Sequence, residues 1–162
     1  MRFICVYGIP DCGKSHVLDS VYKSLTSTVP VGFCSNPIDH KAHGLISDGV
    51  ITKRAFIWSE GDGPYQIREG FSCLREQLKK GVNIDVFIFT ARIHSKTFAI
   101  VKDEIDCVAR EYSVDEDKDV FWYYKSAGYS GNDCKKGNSL PVIIANRYND
   151  IAASDIKEMA FL

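Results

Sequence analysis

The sequence lacks the features that mark a membrane-spanning, disulfide-stapled or strongly charged protein. No apolar run in its 162 residues approaches the length of a membrane helix, and the apolar stretch after Arg2 is too short for a signal peptide. The net charge of -1 offers no broad basic face, so a sequence-independent grip on nucleic acid is unsupported. Repeats and low-complexity tracts are also missing. These absences favour a cytoplasmic protein with one globular domain over residues 1–162.

The six cysteines form no C-x-x-C pair. Several of them fall inside apolar runs, so we expect reduced thiols rather than disulfides or a structural metal site. Cys12 differs because it lies beside Lys14 and close to a predicted helix N-terminus. Two interpretations of Cys12 remain open: a reactive, oxidation-sensitive thiol, and a small residue tolerated at a free position.

The most informative segment is the octapeptide over residues 8–15. It fits the pattern G-x-x-x-x-G-K-[ST] and follows an apolar, strand-like run directly. Its glycines let the backbone wrap around a phosphate, Lys14 supplies a cation to the terminal phosphates, and Ser15 offers a hydroxyl to Mg²⁺. The segment therefore predicts a loop that binds a nucleoside triphosphate through Gly8, Asp11, Cys12, Gly13, Lys14, Ser15 and His16.

Strands and helices alternate along the rest of the chain. Strands are predicted over residues 3–7, 50–58, 84–89, 120–124 and 140–145, and helices over 16–25, 65–80, 96–112 and from about residue 149. Residues 29–47 contain breakers and are predicted to be irregular, and a tight turn at 47–49 favours a hairpin. The polar residues 125–139 are long enough to form a lid. This order predicts a three-layer α/β/α sandwich with a mainly parallel sheet and a hairpin at one edge.

Ligands of open α/β sheets bind at the carboxyl ends of the strands, so polar residues that follow the strands are the candidate site residues. Glu60 and Asp62 follow the strand over residues 50–58. We expect Asp62 to contact Mg²⁺, through water, and Glu60 to orient the attacking water or accept a proton. The reverse assignment and a solvated acidic loop are the alternatives.

A guanidinium is expected beside the transferred phosphoryl group, where it would stabilise the equatorial oxygens. Arg92 follows a central apolar strand and is the better candidate. Arg147, beside the last predicted strand, is the alternative. For either arginine, the non-catalytic interpretation is a salt bridge at the protein surface. The candidate catalytic residues are thus Lys14, Glu60 and Arg92.

Three further patterns give weaker indications. The segment over residues 146–149 approaches the guanine-reading pattern Asn-Lys-x-Asp but replaces two of its three fixed residues, which favours adenine. His40 and His43 form an H-x-x-H pair without a nearby cysteine pair or carboxylate, so solvated loop histidines are favoured over metal ligands. The aromatic run over residues 121–124 is expected to pack in the core rather than stack on bases.

Through Gly8, Gly13, Lys14 and Ser15, and less specifically through the apolar strand followed by Ser-Glu-Gly-Asp at residues 59–62, the chain resembles the P-loop NTPases. The order of its elements is similar to that of small stand-alone P-loop proteins of bacteria and their phages, most of which have no assigned role. The resemblance covers most of the chain but not residues 125–139. It implies the P-loop NTPase fold and Mg²⁺-dependent nucleotide binding, often with hydrolysis.

These observations predict an Mg²⁺-dependent ATPase. A small-molecule or nucleotide kinase is one alternative, suggested by the compact size and by the basic, glycine-containing loop that holds Lys135 and Lys136. A non-catalytic module is the other, in which nucleotide occupancy changes the surface offered to a protein partner.

Overall fold

The computed structural model describes residues 1–10, 12–92, 95–112, 120–125 and 140–162. Asp11 and residues 126–139 of the predicted lid lie outside the described residues. The elements in chain order are β1 (Arg2–Gly8), α1 (Lys14–Lys23), β2 (Thr26–Pro30), β3 (Lys41–Ser47), β4 (Thr52–Trp58), α2 (Pro64–Lys79), β5 (Val86–Arg92), α3 (Ser95–Tyr112), β6 (Val120–Tyr124) and α4 (Leu140–Met159).

The described residues form an α/β structure with four helices and one mixed sheet of six strands, in the order β2-β3-β4-β5-β1-β6. The pairs β4–β5, β5–β1 and β1–β6 are parallel, whereas β2–β3 and β3–β4 are antiparallel. Because β4, β5, β1 and β6 run in one direction, their carboxyl ends lie at the same edge of the sheet. The sequence places the phosphate-loop motif directly after β1 at this edge.

The predicted hairpin is confirmed as β3 and β4, but β2 covers β3, so the hairpin does not itself form the edge of the sheet. Its turn is stabilised by the Asp48 carboxylate, which accepts hydrogen bonds from the backbone N–H groups of Val50 and Ile51 at 2.8 Å each. The prediction that residues 29–47 are irregular was wrong over β3. Gly44, interpreted as a breaker, lies inside β3, where an added Cβ would come within 3.1 Å of Leu25 Cβ. Gly44 therefore does not end the strand; the absence of a side chain there leaves room for Leu25 to pack closely.

Alternate residues of the central strands enter two different core clusters. The first is aliphatic and combines Ile4, Val6, Ile57 and Ile88 with residues of α1 and α4. The second is largely aromatic and combines Phe3, Phe56, Phe87 and Phe89 with residues of α2 and α3. Because successive side chains of a strand point to opposite faces, this division follows from the strand sequences alone.

Residues 140–145, predicted to be the last strand, begin α4 instead. A short apolar run fits a strand and a buried helix equally well, and a proline is accepted in the first turn of a helix. Further along α4, Ala145, Ala152 and Ile156 are buried. Their spacing is that of one helix face. Within the described part of the chain, no helix has both the length and the apolar character to cross a lipid bilayer.

β5 extends to Arg92, three residues beyond the predicted strand end at residue 89. Thr90 therefore lies inside the strand, where its hydroxyl donates to the Ser59 carbonyl at 2.7 Å. Gly61 lies so close to β5 that an added Cβ would be 1.6 Å from the Thr90 carbonyl oxygen. The chain that leaves β4 is thus pressed directly against the end of β5.

Substituting Gly61 by alanine should strongly destabilise the protein, because the new methyl group would overlap a strand carbonyl that cannot rotate away. We expect Gly61→Ala to lower the free energy of unfolding by more than about 3 kcal/mol in urea titrations. Gly49→Ala is the matched control, since Gly49 has a φ of 94° but nothing within 4 Å of the added Cβ. Its backbone strain should cost about 1 kcal/mol. Equal losses in the two variants would contradict the close contact at Gly61.

Candidate functional site

The phosphate-loop motif joins β1 to α1 at the carboxyl edge of the sheet. Gly13 adopts a φ of 92° immediately before α1, and its carbonyl accepts a hydrogen bond from the Val17 N–H at 3.1 Å. An added Cβ at Gly8 would lie 2.6 Å from the Lys125 carbonyl oxygen and 2.7 Å from Cys12 Sγ. Both glycines of the motif are therefore required, Gly13 by its left-handed backbone and Gly8 by crowding.

Lys14 folds back over this loop. Its side chain is only 6% exposed, and its ammonium donates to the carbonyl oxygens of Ile9 at 2.9 Å and Gly8 at 3.4 Å. Asp62 Oδ1 lies 3.9 Å from the same ammonium. A buried ammonium held mainly by neutral carbonyl oxygens is well placed to exchange them for anionic oxygens, which bind it more strongly.

The two acidic residues predicted from the segment after β4 have different partners. Glu60 Oε2 lies 2.8 Å from the Lys41 ammonium, which Glu69 also approaches at 3.6 Å. Burial alone would lower the pKa of Lys41, but the hydrogen bond and charge of Glu60, with the charge of Glu69, raise that pKa above its usual value. Lys41 is therefore a permanent cation beside Glu60.

Asp62 is clamped by the predicted guanidinium. Arg92 Nε lies 3.1 Å from one Asp62 oxygen, and Arg92 Nη2 donates to the other at 3.2 Å. This two-point contact places Arg92 next to Asp62, whose Oδ1 also lies 3.9 Å from the Lys14 ammonium. The Asp62 side chain is 56% exposed, so the ion pair adds little to stability and can open at low cost.

Asp39 is a candidate site residue that the sequence analysis did not predict. Burial is the largest cause that raises the pKa of Asp39. The Ser15 side chain lowers this pKa, but the charges of Glu60 and Asp62 raise it again, so it lies above its usual value. Asp39 is thus close enough to be affected by the charges of both predicted acidic residues and by the Ser15 hydroxyl. The pattern that could have found it, an acid following an apolar strand, does not occur there, because Asp39 precedes β3.

His40 and His43, expected as solvated loop histidines, both have structural contacts. The His40 ring stacks on Tyr22 with 3.8 Å between ring centroids, and its Nε2 lies 2.8 Å from Asp19 Oδ1. His43 is 6% exposed inside β3, with its Nδ1 3.3 Å from an Arg54 nitrogen. No group of three or more His, Cys, Asp or Glu side chains among the described residues could hold a metal ion. The contacts of His40 fasten α1 to the segment that carries Asp39.

The remaining predicted residues are positioned by α1 and α4. Cys12 is buried at 2% exposure, with its Sγ 3.9 Å from the Lys14 ammonium. Arg147 is exposed on α4 rather than following a strand, which removes the reason for choosing it. Asn149, also on α4, is 5% exposed, and its Oδ1 would lie 3.1 Å from a Cβ added at Gly13. α4 therefore contacts the phosphate-loop motif from the side of Gly13.

A groove adjoins the acidic residues on the side of α2. Its volume is about 740 Å³, and Lys41 and Trp58, at the adjoining ends of β3 and β4, line it together with one face of α2. The Lys41 ammonium lies 4.6 Å from the centre of the Trp58 ring. Lys41 thus lines the groove and pairs with Glu60 at 2.8 Å. Beside Asp62 and Arg92, Lys96 and Thr97 line a smaller cavity of about 250 Å³.

Comparison with known proteins gives no match for this chain: no protein-family model, no curated protein and no solved structure matches it. The candidate site therefore stands on its own residues and geometry.

The contact between Asp19 and His40 predicts a dependence of stability on pH. Burial alone would raise the pKa of Asp19, but the hydrogen bonds and charges of Lys23 and His40 outweigh it, so the pKa lies below its value in the unfolded chain. The contribution of the ionised carboxylate is present above about pH 4 and is lost as the pH falls through the folded pKa. At neutral pH, Asp19→Asn should cost about 1–3 kcal/mol of unfolding free energy.

The measurement is chemical unfolding of both proteins at several pH values between neutral and acid. The difference between wild type and Asp19→Asn should shrink toward acid pH. The control Asp103→Asn, at an exposed position on α3, should follow the wild-type profile throughout. A difference for Asp19→Asn that stays constant with pH would contradict the assigned role of the charge.

Proposed function

We propose that the chain is an Mg²⁺-dependent nucleotide-binding protein that hydrolyses ATP. The observation that carries this proposal is the loop between β1 and α1, where Gly13 is left-handed and the buried Lys14 ammonium rests on carbonyl oxygens of the loop. These features fit a site that binds a polyphosphate with backbone N–H groups and one lysine. Adenine remains the proposed base because the segment over residues 146–149 departs from the guanine-reading pattern.

A P-loop NTPase fold with three α/β/α layers is part of the proposal. It is supported by the two core clusters, one containing residues of α1 and α4 and the other residues of α2 and α3. The parallel order β4-β5-β1-β6 supports it further, since it brings the ends of β1, β4 and β5 to one edge. In this fold the phosphate loop and the acidic segment after β4 would face a common ligand.

The residues present fit a magnesium ion. Mg²⁺ prefers oxygen ligands and is usually held by one or two carboxylates together with substrate phosphates and water. Ser15 and Asp62 are the proposed ligands, and Asp39, which is close enough to be affected by the Ser15 hydroxyl, is an additional candidate carboxylate. When bound, the metal would neutralise charge on the β- and γ-phosphates.

Hydrolysis would proceed by attack of a water oxygen on the γ-phosphorus, with cleavage of the bond from that phosphorus to the oxygen of the β-phosphate. Glu60 is the proposed acceptor of the water proton, and Lys41 holds its carboxylate in place at 2.8 Å. Lys14 and Arg92 would stabilise the charge on the transferred group. Arg92 must leave Asp62 to do so, and their exposed ion pair makes this exchange inexpensive.

A kinase is the second candidate, and the groove beside Glu60 favours it. An acceptor in this groove could place a hydroxyl oxygen at the γ-phosphorus in place of water. The hydroxyl would lose its proton to Glu60, the new phosphorus–oxygen bond would form, and ADP would leave. Free phosphate would then not appear.

Nucleotide binding should depend on Lys14. With MgATP at about 100 times its dissociation constant, the wild-type protein should gain about 2.7 kcal/mol of stability, or about 5–10 °C in Tm. Lys14→Ala should lose most of this shift, because it removes the cation that faces the phosphates. The control Lys23→Ala, whose side chain is 71% exposed in the same helix, should keep the shift. An undiminished shift in Lys14→Ala, measured by thermal unfolding, would sink the phosphate-loop assignment.

Turnover should depend on Glu60. We expect Glu60→Gln to lower the rate of phosphate release from MgATP by about 100-fold or more, while the ligand-induced Tm shift remains. Glu69→Gln is the matched control, because Glu69 approaches the same Lys41 ammonium from helix α2. An equal loss in both variants would show that only the position of Lys41 matters. ADP that forms without free phosphate, and only when an acceptor is added, would favour the kinase over the hydrolase.

A further inference from the structure

The groove of about 740 Å³ has the size and lining of a binding site for a second small molecule. Pockets for small ligands typically measure about 300–1,000 Å³. Residues 65, 68, 69, 72, 73 and 76 of α2 form one wall, spaced so that they share one face of the helix. This wall extends for about 16 Å at 1.5 Å per residue, which is long enough for a mononucleotide.

Two aromatic side chains face this groove without being covered by the chain. Phe33 is 86% exposed and Tyr65 is 77% exposed, the highest values for any aromatic residue that the structure describes. Single exposed apolar residues are ordinary at a hairpin tip such as Val50 or at the terminal Leu162. Two such rings line one groove, which the buried Trp58 also lines, and an aromatic face this exposed can stack on a planar ring.

The polar residues of the groove complement a base and a phosphate. Arg68 is exposed there and forms no ion pair with any described residue, so its guanidinium is available to an anion. Glu69 and Glu76 lie on the same face of α2, where they pair with Lys41 at 3.6 Å and with Lys80 at 2.6 Å, respectively. Each carboxylate has further lone pairs that can accept hydrogen bonds from exocyclic amino groups. Lys41 is already held between Glu60 and Glu69 and is not needed for binding.

We infer that this groove binds a nucleobase that carries a phosphate, with the ring stacked on Phe33 and Tyr65 and the phosphate on Arg68. The source of this chemistry is either a free nucleoside monophosphate or one nucleotide of a single strand. Binding is independent of the triphosphate loop. The further proposal that the groove holds the acceptor of the phosphoryl group, next to Glu60, does rest on the proposed function.

The test is calorimetric titration of the whole chain with AMP, CMP, GMP and UMP in turn, and with a short single-stranded oligonucleotide. At least one of these probes should bind saturably, whereas ribose 5-phosphate, which has no base, should not. Phe33→Ala and Tyr65→Ala should each weaken binding about tenfold, the size expected for loss of one stacking ring. Both side chains are so exposed that their removal leaves the core intact. Tyr112→Ala, a tyrosine outside the groove at the end of α3, is the matched control and should bind as the wild type does.

The outcomes separate this inference from the proposed function. Mononucleotide binding that survives Lys14→Ala and is weakened by Tyr65→Ala supports the groove with a free nucleotide, even if MgATP gives no Tm shift. Oligonucleotide binding with the same variant pattern, and no mononucleotide binding, supports the groove with a strand as the source. Binding that Lys14→Ala abolishes and Tyr65→Ala leaves unchanged belongs to the phosphate loop and overturns the inference. So does the absence of binding by every probe.

Discussion

The candidate site depends on one close contact, between the chain that leaves β4 and the end of β5. Gly61 has room only for a hydrogen atom where it faces the Thr90 carbonyl, and the Thr90 hydroxyl donates to Ser59 on the other side of the same turn. This contact fixes the direction of the two residues that flank Gly61. Glu60 therefore turns toward Lys41, and Asp62 turns toward Arg92 and Lys14.

Most of the fold could be predicted because the pattern of each element agrees with its burial. β1, β4 and β6 lie close to their predicted positions, as do α2 and α3, since long periodic segments carry a strong signal. The start of α4 was wrong because an apolar run of six residues carries no period that separates a strand from a helix. β3 was missed because Gly44 looks like a breaker until its neighbour Leu25 is known. Contacts made by distant parts of the chain decided both cases.

The site could be predicted only where a residue follows a strand. That rule found Glu60, Asp62 and Arg92, and the structure brings the last two into contact. It could not find Asp39, which precedes a strand and reaches Ser15 only through the folded path of the segment before β3. Nor could it find Asn149, since nothing in the local sequence indicates that α4 lies against Gly13. The nucleotide, the metal and the chemistry remain proposals that rest on this geometry.

Asp39 and Asp62 differ in how they are anchored. Asp39 adjoins His40, whose ring is stacked on Tyr22 and bonded to the buried Asp19, so its position is tied to the second half of α1. Asp62 is attached only through ion pairs at the surface, which water and salt weaken. Asp39 is thus held by the rigid part of the fold, whereas Asp62 is held by surface ion pairs that can open. A rearrangement at this edge of the sheet would therefore begin at Asp62 and leave the segment that carries Asp39 in place.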